Sequence, residues 1–276
     1  MEWWQAILLG LVQGLTEFLP VSSSGHLMIS KTLLGVDAEG FLDYTVLVHL
    51  GTVCSTLVVF RSAIAQLIRG LFRFRYNDET DYVAKLIVSM IPVALVGVFF
   101  KDFVEGLFGD TLVWVAGGLL VTALLLVLSD VLGRRFPGPG TTASPKHRNG
   151  ISFPQALLVG VGQAVAVAPG ISRSGTTIAT GLLAGVPRPV MAQFSFLMVL
   201  VPIIGEQLLG VVKNISSTGS FFSGELSALC LVLGFVSAFL SGLFACKAMV
   251  ALVRRARLSW FAAYCAVVAV LIFVLA

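Results

Sequence analysis

Charge is scarce in this chain. Asp, Glu, Lys and Arg make up 12% of its 276 residues, about half the share usual in a soluble domain. Hydrophobic residues make up 57%, and so thin a charged shell could not cover a water-soluble core of this size. A soluble enzyme is therefore excluded, and an integral membrane protein is indicated. Cysteine is sparse as well. Cys54, Cys230, Cys246 and Cys265 lie in apolar stretches without a Cys-x-x-Cys pair, which leaves out a disulfide framework and a thiolate zinc site. The amino terminus lacks a basic region ahead of its apolar run and carries Glu2 instead, so no cleavable signal peptide is expected. The formal charge of +4 comes from basic residues in loops between apolar runs. That is the pattern of cytoplasmic loops and not of a nucleic-acid groove.

Long apolar runs are what the chain has in abundance. Crossing about 30 Å of hydrocarbon takes about 20 mostly apolar residues, and six segments qualify, near 41–60, 83–101, 111–132, 190–212, 226–246 and 258–276. Two further runs, Trp3 to Leu19 and Phe153 to Ala168, are shorter. Each ends in a Pro/Gly/Ser break followed by another short run, the pattern of a re-entrant helical hairpin. Irregular backbone at membrane depth must be satisfied by protein or by a wet cavity, so both breaks are expected to line one polar cavity. Three loops, flanked by Arg61, Arg69, Arg73, Arg75 and Lys85, then by Arg134, Arg135, Lys146 and Arg148, then by Lys247, Arg254, Arg255 and Arg257, fall on one side when six helices are threaded. That side is expected to be the cytoplasm. A Pro/Gly/Thr-rich linker from Phe136 to Gly150 divides the chain near its middle, and Gln13 and Gln163, Gly25 and Gly175, and Leu47 and Leu197 are each 150 residues apart. The expected fold is an all-α membrane domain of two halves, 1–135 and 150–276. An odd number of crossings in each half inverts one against the other, and such repeats place their site near the midplane.

Two polar islands interrupt this apolar background. The first, from Leu15 to His26, holds Glu17, Ser22, Ser23, Ser24, Gly25 and His26. Gln13 and Glu17, four apart, share a helix face just before Pro20 stops the helix. A hydroxyl, an imidazole and a carboxylate are the parts of an activated nucleophile, although small polar residues in membrane helices also serve merely to cross-link helices. The second island, Pro169 to Thr177, centres on Arg173, whose fork of donors suits bidentate capture of phosphate oxygens. Gly175, Thr176 and Thr177 open the next helix, so their free N–H groups are expected to face the same anion. The alternative is that Arg173 only neutralises Glu17. A P-loop is discounted, because Thr176 stands where its lysine should be. Gly10-x-x-x-Gly14 and Gly181-x-x-x-Gly185 are read as packing surfaces. His49 and Glu206 are left outside the catalytic set.

The pair E-F-L-P-V-S-S-S-G-H and P-G-I-S-R-S-G-T-T resembles the undecaprenyl-diphosphate phosphatases, membrane enzymes associated with bacitracin resistance, over essentially the whole chain. The resemblance implies removal of the terminal phosphate from the lipid diphosphate, which recycles the carrier for cell-wall glycan. It also implies a divalent cation, Mg²⁺ or Ca²⁺, and a site in the bacterial inner membrane that opens outward. On this reading Glu17 ligates the cation with Gln13 as its companion, or acts as general base. Gln13 stands where many members have glutamate, and Ser24 replaces a common threonine. Ser23 is the expected nucleophile, with His26 as its base and Arg173 as the phosphate clamp. Ser22, Ser24, Gly25, Ser172, Ser174, Gly175, Thr176 and Thr177 are expected to bind phosphate. Direct attack by water stays open. The expected partners are the polyprenyl diphosphate and membrane lipids, with no nucleic acid, and a homo-oligomer is compatible with the sequence. The competing class is an inverted-repeat transporter or flippase for an anionic lipid or solute, which would need no nucleophile.

Overall fold

The computed structural model describes residues 1–36, 40–100, 106, 112–132, 148–218, 226–255 and 257–275. Among these residues there is no strand. Their helices are α1 (Trp3–Thr16), α2 (Ser23–Leu33), α3 (Phe41–Val59), α4 (Arg61–Leu71), α5 (Asp78–Phe99), α6 (Leu112–Leu132), α7 (Phe153–Val165), α8 (Arg173–Leu183), α9 (Arg188–Thr218), α10 (Ala228–Arg255) and α11 (Ser259–Leu275). The linker 136–150 lies mostly outside the described residues, as do Arg134, Arg135 and Lys146.

Four helices, α5, α6, α9 and α10, are apolar and long enough to cross a membrane. A fifth crossing is reached if α3 and α4 are taken together across their 74° bend, and α11 is apolar but shorter. The stretch from Arg61 to Leu71, expected to be loop, is helical. Its apolar residues Ile64, Leu67, Ile68 and Leu71 recur at the helical period, whereas Arg61, Ser62, Gln66 and Arg69 interrupt any continuous apolar run. A search for unbroken apolar runs passes over such a segment. Lys85, at the edge of the expected 83–101 span, is helical as that span requires. It lies buried in α5, its ammonium 2.5 Å from Asp81 Oδ2 and 2.8 Å from the Arg148 carbonyl.

Both short apolar runs form helices that stop at the expected breaks, giving the pairs α1–α2 and α7–α8. Their contacts match at an offset of 150 residues. Gln5 Nε2 donates to the Leu34 carbonyl at 2.9 Å, and Gln155 Nε2 donates to the Ala184 carbonyl at 2.9 Å. Capping boxes start both first helices, at Glu2/Gln5 and Ser152/Gln155. Gly10 and Gly160 let each first helix approach a helix of the other half. A Cβ at Gly10 would lie 2.5 Å from the Gly234 carbonyl oxygen on α10, and one at Gly160 would lie 2.3 Å from that of Ser89 on α5. Gly14 meets α10 in the same way and Gly181 packs on Met191. Gly185 serves a left-handed turn (φ 82°) and not a packing surface.

One end of the bundle is tied by buried charge. Asp130, at the end of α6, accepts from Arg188 at 2.6 Å and, through Oδ2, from the Ser259 N–H and hydroxyl, each at 2.8 Å. It thereby pins the starts of α9 and α11. The start of α9 also shares a cavity wall with Asp78, Glu79 and Asn149, so α4, the start of α5, Arg148, Arg188 and Arg257 gather at this end. Removing one partner of a buried ion pair strands the other, at about 3–5 kcal/mol. Asp130→Ala should therefore lower the midpoint of thermal unfolding in detergent by several degrees. An unchanged midpoint would show that the Arg188 contact contributes nothing to stability.

Candidate active site

The two polar breaks meet. Pro20 lies against Gly175, where a Cβ would be 3.2 Å from the proline Cβ, and the Ser174 hydroxyl donates to the Leu19 carbonyl at 3.0 Å. Behind them α6 supplies small residues. Gly118 admits the 169–171 backbone, and Gly170, at φ 80°, touches the Val115 carbonyl. The Ser172 N–H is held by the Thr122 hydroxyl at 2.9 Å. These contacts fix where both helices after the breaks begin.

Glu17 ends α1 and collects the site's polar groups. Its Oε2 accepts from the Ser23 hydroxyl at 2.5 Å and from Gln13 Nε2 at 2.8 Å. His49 Nε2, from α3, lies 3.8 Å from the same oxygen, and an Arg173 terminal nitrogen lies 3.8 Å from Oε1. The Glu17 side chain is 7% exposed, that of Arg173 25%. The carboxylate is thus enclosed, while the guanidinium stays partly exposed and stops short of a direct hydrogen bond to it. His49 Nδ1 is tied to the Thr45 carbonyl at 2.8 Å, which turns Nε2 toward Glu17.

His26 is placed otherwise than the sequence suggested. Its Nδ1 meets the Ser22 carbonyl at 2.8 Å. Its Nε2 meets the Tyr264 hydroxyl, also at 2.8 Å, with the two rings stacked. The hydroxyl of Ser23 donates to Glu17 and not to the imidazole. The reason is helical geometry. Residue 26 looks back along its own helix at residue 22, whereas Ser23 at the first position of α2 faces the end of α1.

The phosphate-binding set also divides. Ser22 and Ser172 are N-caps, each accepting the N–H of the glycine three residues on, at 3.4 and 3.1 Å. The N–H groups of Gly175 and Thr176 are therefore already bonded, to the Ser172 hydroxyl and carbonyl, and are not free for an anion as expected. Thr177 is fully buried, its hydroxyl donating to the Arg173 carbonyl at 2.8 Å and 2.6 Å from that of Ser195. Thr176 Oγ1 is buried without a hydrogen-bond partner among the described residues, and Ser174 is spent on Leu19. Ser23, Ser24, His26 and Arg173 stay at least partly exposed. Ser22 holds φ 66° and ψ 94°, an unfavourable conformation for a non-glycine residue that costs about 1–3 kcal/mol and is maintained by the packed break.

No group of three or more His, Cys, Asp or Glu side chains suited to a metal ion occurs among the described residues. The site nevertheless offers two oxygens to a hard cation. Among the described residues, Gln13 Oε1 is buried without a hydrogen-bond partner and Glu17 Oε1 has no hydrogen-bond donor. Such a pair fits a cation that draws its remaining ligands from substrate phosphate and water. Of the two residues that join the site's hydrogen-bond neighbourhood from other helices, His49 lies outside the expected catalytic set and Tyr264 is not singled out in the sequence. His49 did give a signal, an imidazole in an otherwise apolar helix. Tyr264 gave none, being one aromatic residue among many in α11.

A family model described as bacitracin resistance protein BacA matches residues 6–271. An undecaprenyl-diphosphatase of Bacteroides fragilis is 49% identical over 270 residues, covering 98% of this chain and 97% of its own. One from Bacteroides thetaiotaomicron is 49% identical over 267 residues (97% and 96%). One from Methanobrevibacter smithii is 36% identical over 282 (98% and 96%).

Proposed function

The chain belongs to the bacitracin resistance protein BacA family, and from that membership and the site's geometry we propose that it hydrolyses undecaprenyl diphosphate to undecaprenyl phosphate and inorganic phosphate. The observation that carries the mechanism is the 2.5 Å hydrogen bond from Ser23 to Glu17 beside a partly exposed Arg173. Ser23 Oγ attacks the terminal phosphorus, its proton passing to Glu17 Oε2. The bond from that phosphorus to the bridging oxygen breaks, and the lipid monophosphate leaves with the proton handed on by Glu17. Water then attacks the phosphoserine. One of its protons returns through Glu17 to Ser23 Oγ, and phosphate departs. Arg173 holds the phosphoryl oxygens throughout and offsets their charge, the main requirement of phosphoryl transfer. His26, fixed between Ser22 and Tyr264, borders the same opening.

Glu17 Oε1 and Gln13 Oε1 would hold a divalent cation, Mg²⁺ or Ca²⁺, and bound there it would neutralise part of the diphosphate charge. Phosphate release from undecaprenyl diphosphate in detergent should be abolished by a chelator and restored by adding either cation. Full activity in chelator would remove the cation from the mechanism, and absence of release under all conditions would overturn the activity. A transporter or flippase would not release phosphate at all.

We further read the fold as two inverted halves with six crossings, α11 and α3, whose crossing ends at the bend into α4, completing the count. The 150-residue offset in the Gln5/Gln155 and Gly10/Gly160 contacts supports this reading. The end bearing α4, Arg148 and Arg257 carries the basic loops and is assigned to the cytoplasm. The site would then open to the outer face of the inner membrane.

A further inference from the structure

Helix α4 presents two unlike sides. Ile68, Leu71 and Phe72 are exposed on one, Phe72 to 72%, and an amphipathic helix set at 74° to the preceding membrane helix lies in the plane of the membrane surface. Beside that apolar side, Arg69 near the end of α4 and Arg73 in the turn that follows it line one cavity. Neither guanidinium has a hydrogen-bond partner among the described residues, and Arg73 lies near enough to Glu79 to attract its carboxylate. The two arginines border a surface cavity of about 370 Å³, whose other walls are Ser62, Gln66, Gly70 and Glu79. Gly70 is what lets Glu79 reach the wall, since a Cβ there would lie 2.3 Å from the glutamate's own Cβ. The Glu79 carboxylate is steadied by Gln66 at 3.1 Å.

Two guanidinium groups and one carboxylate leave this cavity with one positive charge in excess. A matching ligand carries one negative charge, as a phosphate placed against the arginine forks. It also brings hydroxyl groups that donate to Glu79, and apolar tails to lie along Ile68, Leu71 and Phe72. We infer that the cavity is a headgroup site for an anionic glycerophospholipid with a hydroxylated headgroup, of the phosphatidylglycerol type. A zwitterionic phospholipid would leave the excess charge unmatched, and free phosphate would leave the apolar side uncovered. The site is separate from the diphosphate site and does not rest on the proposed hydrolysis.

The test is native mass spectrometry of the full chain in uncharged detergent, titrated with phosphatidylglycerol or phosphatidylethanolamine of equal chain length. The intact protein should retain one phosphatidylglycerol about tenfold more tightly than the ethanolamine lipid, given the contribution of each arginine near an anionic lipid. Arg69→Gln with Arg73→Gln should erase that preference while keeping wild-type phosphate release, which shows that the variant is folded. Should the double variant not fold, Ser62→Glu, which sets a carboxylate on the exposed wall, should erase the preference too. Equal retention of both lipids by the wild type, or an undiminished preference in a folded double variant or in Ser62→Glu, would overturn the site.

Discussion

Arg173→Lys should lower turnover of undecaprenyl diphosphate by about 100- to 1,000-fold, the range found when one donor to a developing oxyanion is removed. An ammonium keeps the charge, so a purely electrostatic partner of Glu17 would tolerate the change. The geometry argues against that role. The guanidinium stops 3.8 Å from Glu17 Oε1 and is 25% exposed, which leaves its fork for phosphate oxygens that a point charge cannot bridge. Because the carboxylate keeps its hydrogen bonds from Ser23 and Gln13 in the variant, thermal stability in detergent should hardly change. The measurement is steady-state phosphate release together with a melting curve. Near-normal turnover would reduce Arg173 to a partner of Glu17, and a large loss of stability would assign it to packing.

Much of this site was legible in the sequence because membrane depth makes polar residues conspicuous. Glu17, Ser23 and Arg173 stood out against apolar surroundings, and helical spacing alone set Gln13 on the face of Glu17, where it donates at 2.8 Å. Spacing along one helix could not decide the partner of Ser23. The residue three positions on was His26, but the start of α2 is aimed by the contact between the two breaks, at Pro20 and Gly175 and at Leu19 and Ser174. That contact joins residues 155 positions apart. His49 and Tyr264 entered for the same reason, from α3 and α11. The N-cap serines illustrate a different shortfall. A hydroxyl beside a helix start suits a phosphate and the helix's own N–H equally well, and at Ser22 and Ser172 the backbone takes it. The helix α4 escaped notice because its polar side lowers the mean hydropathy that marks crossings.

The structure's pairing of Ser23 with Glu17 has a kinetic signature that distinguishes it from a Ser23–His26 pair. Ser23→Ala should lose on the order of 10⁴-fold in turnover while still binding the diphosphate, since the Arg173 clamp is intact. Glu17→Gln should be comparably impaired, because an amide cannot take the proton of the hydroxyl that lies 2.5 Å away. Groups that act as one unit are not additive, so the double variant should be little worse than either alone. His26→Ala, by contrast, removes an imidazole held by the Ser22 carbonyl and Tyr264. Its loss should be smaller and should multiply with that of Ser23→Ala. If the Ser23 and His26 losses merge while those of Ser23 and Glu17 multiply, the imidazole is the base and must swing onto Ser23 when substrate binds. A Ser23→Ala enzyme that retains a tenth or more of wild-type turnover would instead make water the nucleophile, with Glu17 as its base and Ser23 reduced to a hydrogen-bond donor.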